Sequence, residues 1–418
     1  MLRHRWIAAL GGPMNIVSFD HHSSEYARNW RQVNADLRDR CPVAHTEAHD
    51  GYWVVSRYSD VAEVVRDDET FSSYFRLPNG AHHGTTIPVS PMRQVPIEMD
   101  PPEFFEYRKL LSSHFSPAEA KKWEPFVREA TAYCIDSIIE SGRGDLILDI
   151  ASPVPAIFTM ALLGMPLDGW QVFSDVTHSL IHSAPETPEY LSAMGNLVAI
   201  LGQVTEVIAS RRAEPGDDLI SYLVQAQING ATLPDDRLME IITLVIFGGV
   251  DTTGSLIGNA LEWLHRNPEQ RDLLRANPDL LPKAIEEFLR YFSPVAGLAR
   301  TTTRPCVVGD QEIGAGERVF VSWSSANFDP EVFDDPDEVI LDRFPNRHQS
   351  FGLGIHRCLG SHFARSEARI VLEEVLRRMP DYVVGVTQPY PSIGVVNGFI
   401  GLPVTFTPAS PLGATLSL

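Results

Sequence analysis

The chain is short of cysteine. It has four in 418 residues, Cys41, Cys134, Cys306 and Cys358, and no C-x-x-C pair. That spacing argues against a disulfide-stapled framework and against the clustered ligands of a zinc or iron–sulfur site. Basic residues are also scarce, 34 Lys and Arg against 54 Asp and Glu, for a formal net charge of −20. Such a balance disfavours nucleic acid or an anionic membrane surface as the main partner. Uninterrupted apolar runs of about 18 residues are missing too, so no membrane anchor is expected. The N-terminal MLRHRWIAALGGPMN holds only a brief apolar run. These absences point to a cytoplasmic protein, in which residues 1–20 or so form a loosely ordered extension.

What is present is an ordinary globular composition, 44% apolar and 21% charged. YWVVSRYSD (52–60) carries a short β-rich run, and residues 59–71 follow with helical spacing. Residues 76–99, rich in Pro, Gly and His, read as an irregular loop of a length that is more often functional than idle. From 103 to about 290 the pattern is mostly helical, broken at 141–145, 184–188, 213–218 and 233–236. Beyond 300 come shorter strands and turns, then a helix over about 358–379 and a hairpin-like tail. No repeat or linker divides the chain. The expectation is one large, mainly α domain over 1–418 with small β-sheets.

The segment 236–267 is apolar on nearly every face, so it belongs in a core. Yet its middle holds Gly248, Gly249, Asp251 and Thr252. Two interior glycines cost on the order of 1–2 kcal/mol relative to alanines, and a buried acid costs more unless it is paired. Leu244, Phe247, Gly248, Asp251 and Thr252 share one helix face. A flat ligand could press on Gly248 while the acid and the alcohol handle protons. A kinked core helix, with Thr252 bonded back to a carbonyl and Asp251 to a surface arginine, would carry the same residues. Glu287 and Arg290 stand at i, i+3 spacing, which is weak evidence alone.

FGLGIHRCLG (351–360) sets one thiol in a glycine-rich turn. Cys358 could be a small core residue or half of a pair, but neither explains Gly352, Gly354 and Gly360. A helix starting at the cysteine would favour the thiolate, and the glycines let the backbone approach something broad and flat. A thiolate ligating haem iron fits each feature.

Together these residues resemble the cytochrome P450 family over nearly the whole chain. Its cysteine-loop pattern F-G-x-G-x-H-x-C-x-G is met by Phe351, Gly352, Gly354, His356, Cys358 and Gly360. Its central-helix pattern is met by Gly248, Gly249, Asp251, Thr252 and Thr253, and its E-x-x-R by Glu287 and Arg290. The resemblance implies haem b with Cys358 as axial thiolate, Phe351 covering the sulfur side, and Gly248 and Gly249 letting the helix distort. It implies Asp251 and Thr252 as the proton-handling pair. Arg108, Arg300 and His356 would contact the propionates, with Phe104 standing where the family has a histidine. Glu287 and Arg290 become structural, with Arg343 as a third member.

The activity implied is hydroxylation of a hydrophobic small molecule, such as a terpenoid, branched lipid or aromatic, with O2 and two electrons from a ferredoxin and its reductase. Leu244, Phe247, Gly248, Val295, Ala296, Val395 and Val396 would wall the pocket, and the stretches 76–99 and 171–195 would move to admit substrate. Arg108, Lys109, Arg357, Arg365 and Arg369 would offer a basic patch to an acidic ferredoxin, and a monomer is expected. A haem-thiolate peroxygenase and a non-enzymatic haem sensor are the rival readings.

Overall fold

The apolar run Tyr52–Val55 lacks polar alternation, so it requires cover on both faces. The computed structural model, which describes residues 7–8, 15–90, 92–183 and 187–416, supplies that cover. Most of the N-terminal extension and residues 184–186 of the expected break lie outside the described residues. Two compact units emerge. One comprises the chain up to Phe105 with Glu286–Cys358 and Pro391–Asn397; the other comprises Glu106–Ile285, Leu359–Tyr390 and the chain from Gly398.

The first unit is built on a seven-stranded sheet, in the order 7–8, 15–16, 43–46, 52–55, 318–322, 297–302, 71–72. Strand 52–55 runs parallel to 318–322, and 297–302 is antiparallel to 318–322. Trp53, Val55, Val319 and Val321 pack with Val61, Val64 and Val65 of the helix Tyr58–Arg66. On the opposite face Tyr52, Val54 and Phe320 meet Phe19, Tyr26 and Leu37. The loop 76–99 is less irregular than expected. Residues 75–76 pair with 82–83, and the buried Glu98 carboxylate accepts from the Thr85 and Gln94 amides at 2.8 and 3.0 Å.

Within the same unit, Glu287 and Arg290 are not the exposed pair that their spacing alone suggests. Both side chains are fully buried. Arg290 donates to Glu287 through Nε and Nη2 at 2.9 and 2.8 Å, and Arg343 Nε, the Ile340 amide and Asn346 Nδ2 donate to the same carboxylate. The carbonyls of Asn327, Pro336 and Glu338 take the remaining Arg290 donors. A buried ion pair is tolerable only when its hydrogen bonds are this complete.

The second unit is helical. Its helices span Pro117–Ile139, Pro153–Leu163, Trp170–His182, Pro188–Ala213, Leu219–Gln225, Asp235–Arg266, Pro268–Ala276 and Ser361–Arg378. Ser116, Thr187 and Asp218 cap three of them through side-chain oxygens. Asp235–Arg266, about 48 Å long at the α-helical rise, packs against Pro153–Leu163, Trp170–His182 and Ser361–Arg378. This helix and Pro188–Ala213 are each long and apolar enough to cross a membrane. The window in the first is 67% buried, as a core helix should be, and that in the second 28%. The tail strands 399–401 and 403–405 pair with 388–389, and with 143–145 and 383–384. A short hairpin, 227–228 with 231–232 around Asn229-Gly230, went unread in the sequence.

Truncating Glu287 to Ala would leave two buried guanidinium groups uncompensated. The expected cost is about 3–5 kcal/mol, read as a lower urea midpoint. A midpoint equal to wild type would contradict the burial argument.

Candidate active site

The cysteine loop is closed on itself. Cys358 N–H donates to Phe351 O at 2.7 Å, and Gly352 N–H to Gln349 O at 2.8 Å. To turn so tightly the chain enters left-handed backbone at Gly352 (φ 66°) and Gly354 (φ 68°). A Cβ on Gly354 would lie 2.6 Å from Val65 O. Because the Cys358 amide is committed to the loop, the helix begins at Ser361 and not at the cysteine. Gly360 departs from expectation as well. Its φ of −76° is open to any residue, and a Cβ there would meet nothing within 4 Å. Cys358 is exposed, whereas Cys134 is buried and Cys41 and Cys306 are half-buried. Burial pushes all three of those thiols up in pKa.

Arg300, on strand 297–302, is fully buried. Burial lowers its guanidinium to about 10, against the opposing charge of Asp100. Among the described residues it forms no ion pair, and its hydrogen bond runs from Nη1 to Ala299 O at 2.8 Å. A dry cation with donors to spare fits an anionic group such as a haem propionate. His356 Nε2 lies 3.2 Å from Ser73 Oγ. The Phe104 ring, buried where a histidine was expected, packs on His356 in a tilted contact, with centroids 4.3 Å apart and planes at 53°. Its part is therefore to fix the imidazole by packing. Arg108 lies on the helix Glu103–Ser112.

In the second unit the helix Asp235–Arg266 runs unbroken through its glycines; the expected distortion is absent. The glycines act through space instead. Gly248 is exposed within a core helix, a Cβ there would meet only Leu244 at 3.9 Å, and Leu244 and Phe247 beside it are half-buried. An open strip of glycine and apolar side chain suits a flat apolar group. Thr252 Oγ1 donates back to Gly248 O at 2.8 Å. Asp251 is buried, and among the described residues no arginine pairs with it. It accepts from Tyr390 OH at 3.0 and 3.1 Å and faces His178 Nδ1 at 3.0 Å, while His178 Nε2 bonds Ile400 O.

Neither His178 nor Tyr390 was singled out in the sequence. Burial alone pushes His178 down, but the hydrogen bond and charge of Asp251 outweigh it, and the net direction is up. Neighbouring His182 falls to about 4 through burial and the proximity of His178.

Of the expected pocket wall in the first unit, Val295 bridges Val396 and the Ala296 amide donates to Val395 O at 3.1 Å. Ala296 and Val396 are core residues, so only Val295 and Val395 present surface. In the basic patch, Arg369 is taken by Glu124 and Glu373 at 2.7 and 2.8 Å and is no free cation for a partner.

An exposed thiol in a glycine loop, a buried cation with spare donors and an acid–alcohol helix define the haem-thiolate class. The comparisons make this specific. The Cytochrome P450 family model matches residues 193–380. Cytochrome P450 130 of Mycobacterium tuberculosis is 36% identical over 85% of this chain and 89% of its own. A steroid C26-monooxygenase of Mycolicibacterium smegmatis is 34% identical over 96% of both chains. A mutant of P450 EryK, solved in complex with erythromycin B, aligns with a TM-score of 0.82 at 32% identity, over 94% of this chain and all of that one. The chain belongs to the cytochrome P450 superfamily, bacterial type, and is a P450 monooxygenase.

Two outcomes follow from the local geometry. Gly354→Ala should cost on the order of 1–3 kcal/mol for left-handed backbone alone, while Gly360→Ala should stay within about 0.5 kcal/mol. Equal melting temperatures for the two variants would contradict the loop geometry. Because the folded His178 value is raised above 6.5, the stability it contributes is fully present below that pH. It is lost as pH rises through the folded value. The urea-unfolding advantage of wild type over His178→Gln should therefore shrink as pH rises above 6.5; a gap that widened would refute the pairing.

Proposed function

We propose that the chain hydroxylates a hydrophobic small molecule at haem b held by Cys358, with steroid-like or terpenoid skeletons as the first candidates. The observation that carries this reading is the exposed Gly248 strip, where Leu244 and Phe247 offer apolar contact and no charge. The relative that names a substrate class by its title of steroid C26-monooxygenase supports the choice of probe. Electrons come from a separate ferredoxin and its reductase, as the family resemblance implies, and a cytoplasmic monomer is the working state.

When bound, the haem supplies dioxygen activation and the oxidant. The protein residues do the rest. Cys358 offers its sulfur from a loop whose own amide bond fixes the backbone. Arg300, Arg108 and His356 would hold the carboxylates of the group, as the family resemblance implies. Gly352 and Gly354, in left-handed backbone beside Phe351, keep the loop narrow enough for close approach. Gly248 and Gly249 leave the helix face bare. Thr252 must give up its bond to Gly248 O, at about 1 kcal/mol, to donate elsewhere. Asp251 holds or passes a proton from a site closed to water, which limits side reactions.

The ferrous carbon monoxide difference spectrum should show a thiolate-ligated haem in wild type, and Cys358→Ser should lose it. Testosterone and pseudoionone should each be screened for a low- to high-spin shift. A panel in which only ionic or strongly polar compounds perturb the spectrum would overturn the substrate class. A haem spectrum without any reductase-driven turnover would favour the sensor reading.

A further inference from the structure

The pairing of Asp251 depends on a single proton. Ile400 presents only a carbonyl oxygen to His178 Nε2, 3.1 Å away, so that nitrogen carries hydrogen. The other ring nitrogen then has two possible states. In the imidazolium, Nδ1–H donates to Asp251 Oδ1 at 3.0 Å, and Tyr390 gives its one hydroxyl hydrogen to the same carboxylate. Every polar group is satisfied. In the neutral ring, Nδ1 is a lone pair turned toward a carboxylate. Tyr390 OH, 3.1 Å from Nδ1 and 3.0 Å from Oδ1, then has one hydrogen for two acceptors. One of them is left short, in a place where both side chains are only 5% exposed.

Among the described residues, no other cation acts on His178. Asp251 faces His178 from the central helix and Tyr390 from the tail, while Asp175 and His182 lie on its own helix. Glu189, on the helix Pro188–Ala213, acts on His182. The helix Pro153–Leu163, which packs alongside, has no charged residue. The imidazolium therefore meets carboxylates and one phenol, and its nearest titratable competitor is a histidine held neutral.

We propose that His178 is the positioning residue for Asp251: its imidazolium clamps the carboxylate and keeps one transferable proton at the Nδ1–Oδ1 contact. This rests on the reading of Asp251 and Thr252 as the proton-handling pair. In the transfer, the N–H bond at Nδ1 breaks and an O–H bond forms at Oδ1, so that imidazolium and carboxylate become imidazole and carboxylic acid. The ring is reprotonated by slow exchange with solvent, to which its side chain is 5% exposed. The neutral ring can neither clamp nor donate.

The test uses the full-length, haem-loaded protein. Ring-nitrogen NMR of its ferrous carbonmonoxy form, with His178 assigned by its loss in His178→Gln, should show a cationic ring below pH 6.5 that titrates above that value. Asp251→Asn should lower the titration by about one unit or more. Separately, peroxide released per reduced nicotinamide consumed is measured with a surrogate ferredoxin and reductase, with and without testosterone as probe. The ratio should rise about threefold or more as pH passes the ring titration, and His178→Gln should flatten that rise. Tyr390→Phe should keep the rise but shift its midpoint, which decides the matter should His178→Gln fail to fold. A ring that is neutral at pH 6, or a His178→Gln variant with the wild-type rise, overturns the proposal while leaving haem ligation intact. Loss of the thiolate-haem spectrum would instead remove the oxygenase reading and leave the ring titration to stand by itself.

Discussion

The hydrogen bond from Cys358 N–H to Phe351 O is the constraint on which the chemistry turns. It holds an exposed thiol at the mouth of a loop too tight for side chains at Gly352 and Gly354, and it postpones the following helix to Ser361. The other three cysteines show the alternative. Each is at least partly buried, and burial raises its pKa, which makes it a poor source of thiolate.

Two buried carboxylates with different partners divide structure from chemistry. Glu287 is met by two guanidinium groups that stay charged at any working pH, together with an amide hydrogen and an asparagine. Its site is a lock. Asp251 is met by an imidazole and a phenol, groups whose hydrogens can be moved or shared. Both acids are equally hidden from water, so burial alone does not distinguish them. The titratability of the partner does.

Much of this was legible from residues near each other in the chain. The cysteine loop, the helix over 236–267 and the Glu287–Arg290 spacing are local patterns, and a helix or a turn expresses them directly. Three things were not legible. His178 and Tyr390 lie 73 and 139 residues from Asp251, and no local pattern in the chain links positions so far apart. Phe104 read as a missing propionate contact because the ring it packs against, His356, is far along the chain. The continuity of the central helix through Gly248 and Gly249 goes with packing on the Gly249 side, where Thr159 lies close, while Gly248 stays open. Propensity predicts local weakness there, and tertiary contacts override it.

The most direct test of the central claim is X-ray absorption at the iron edge of the ferric protein. A sulfur scatterer in the first coordination shell of wild type, retained in Cys134→Ser and absent in Cys358→Ser, is the expected result. A first shell without sulfur in wild type, or one that keeps its sulfur in Cys358→Ser, would contradict the account.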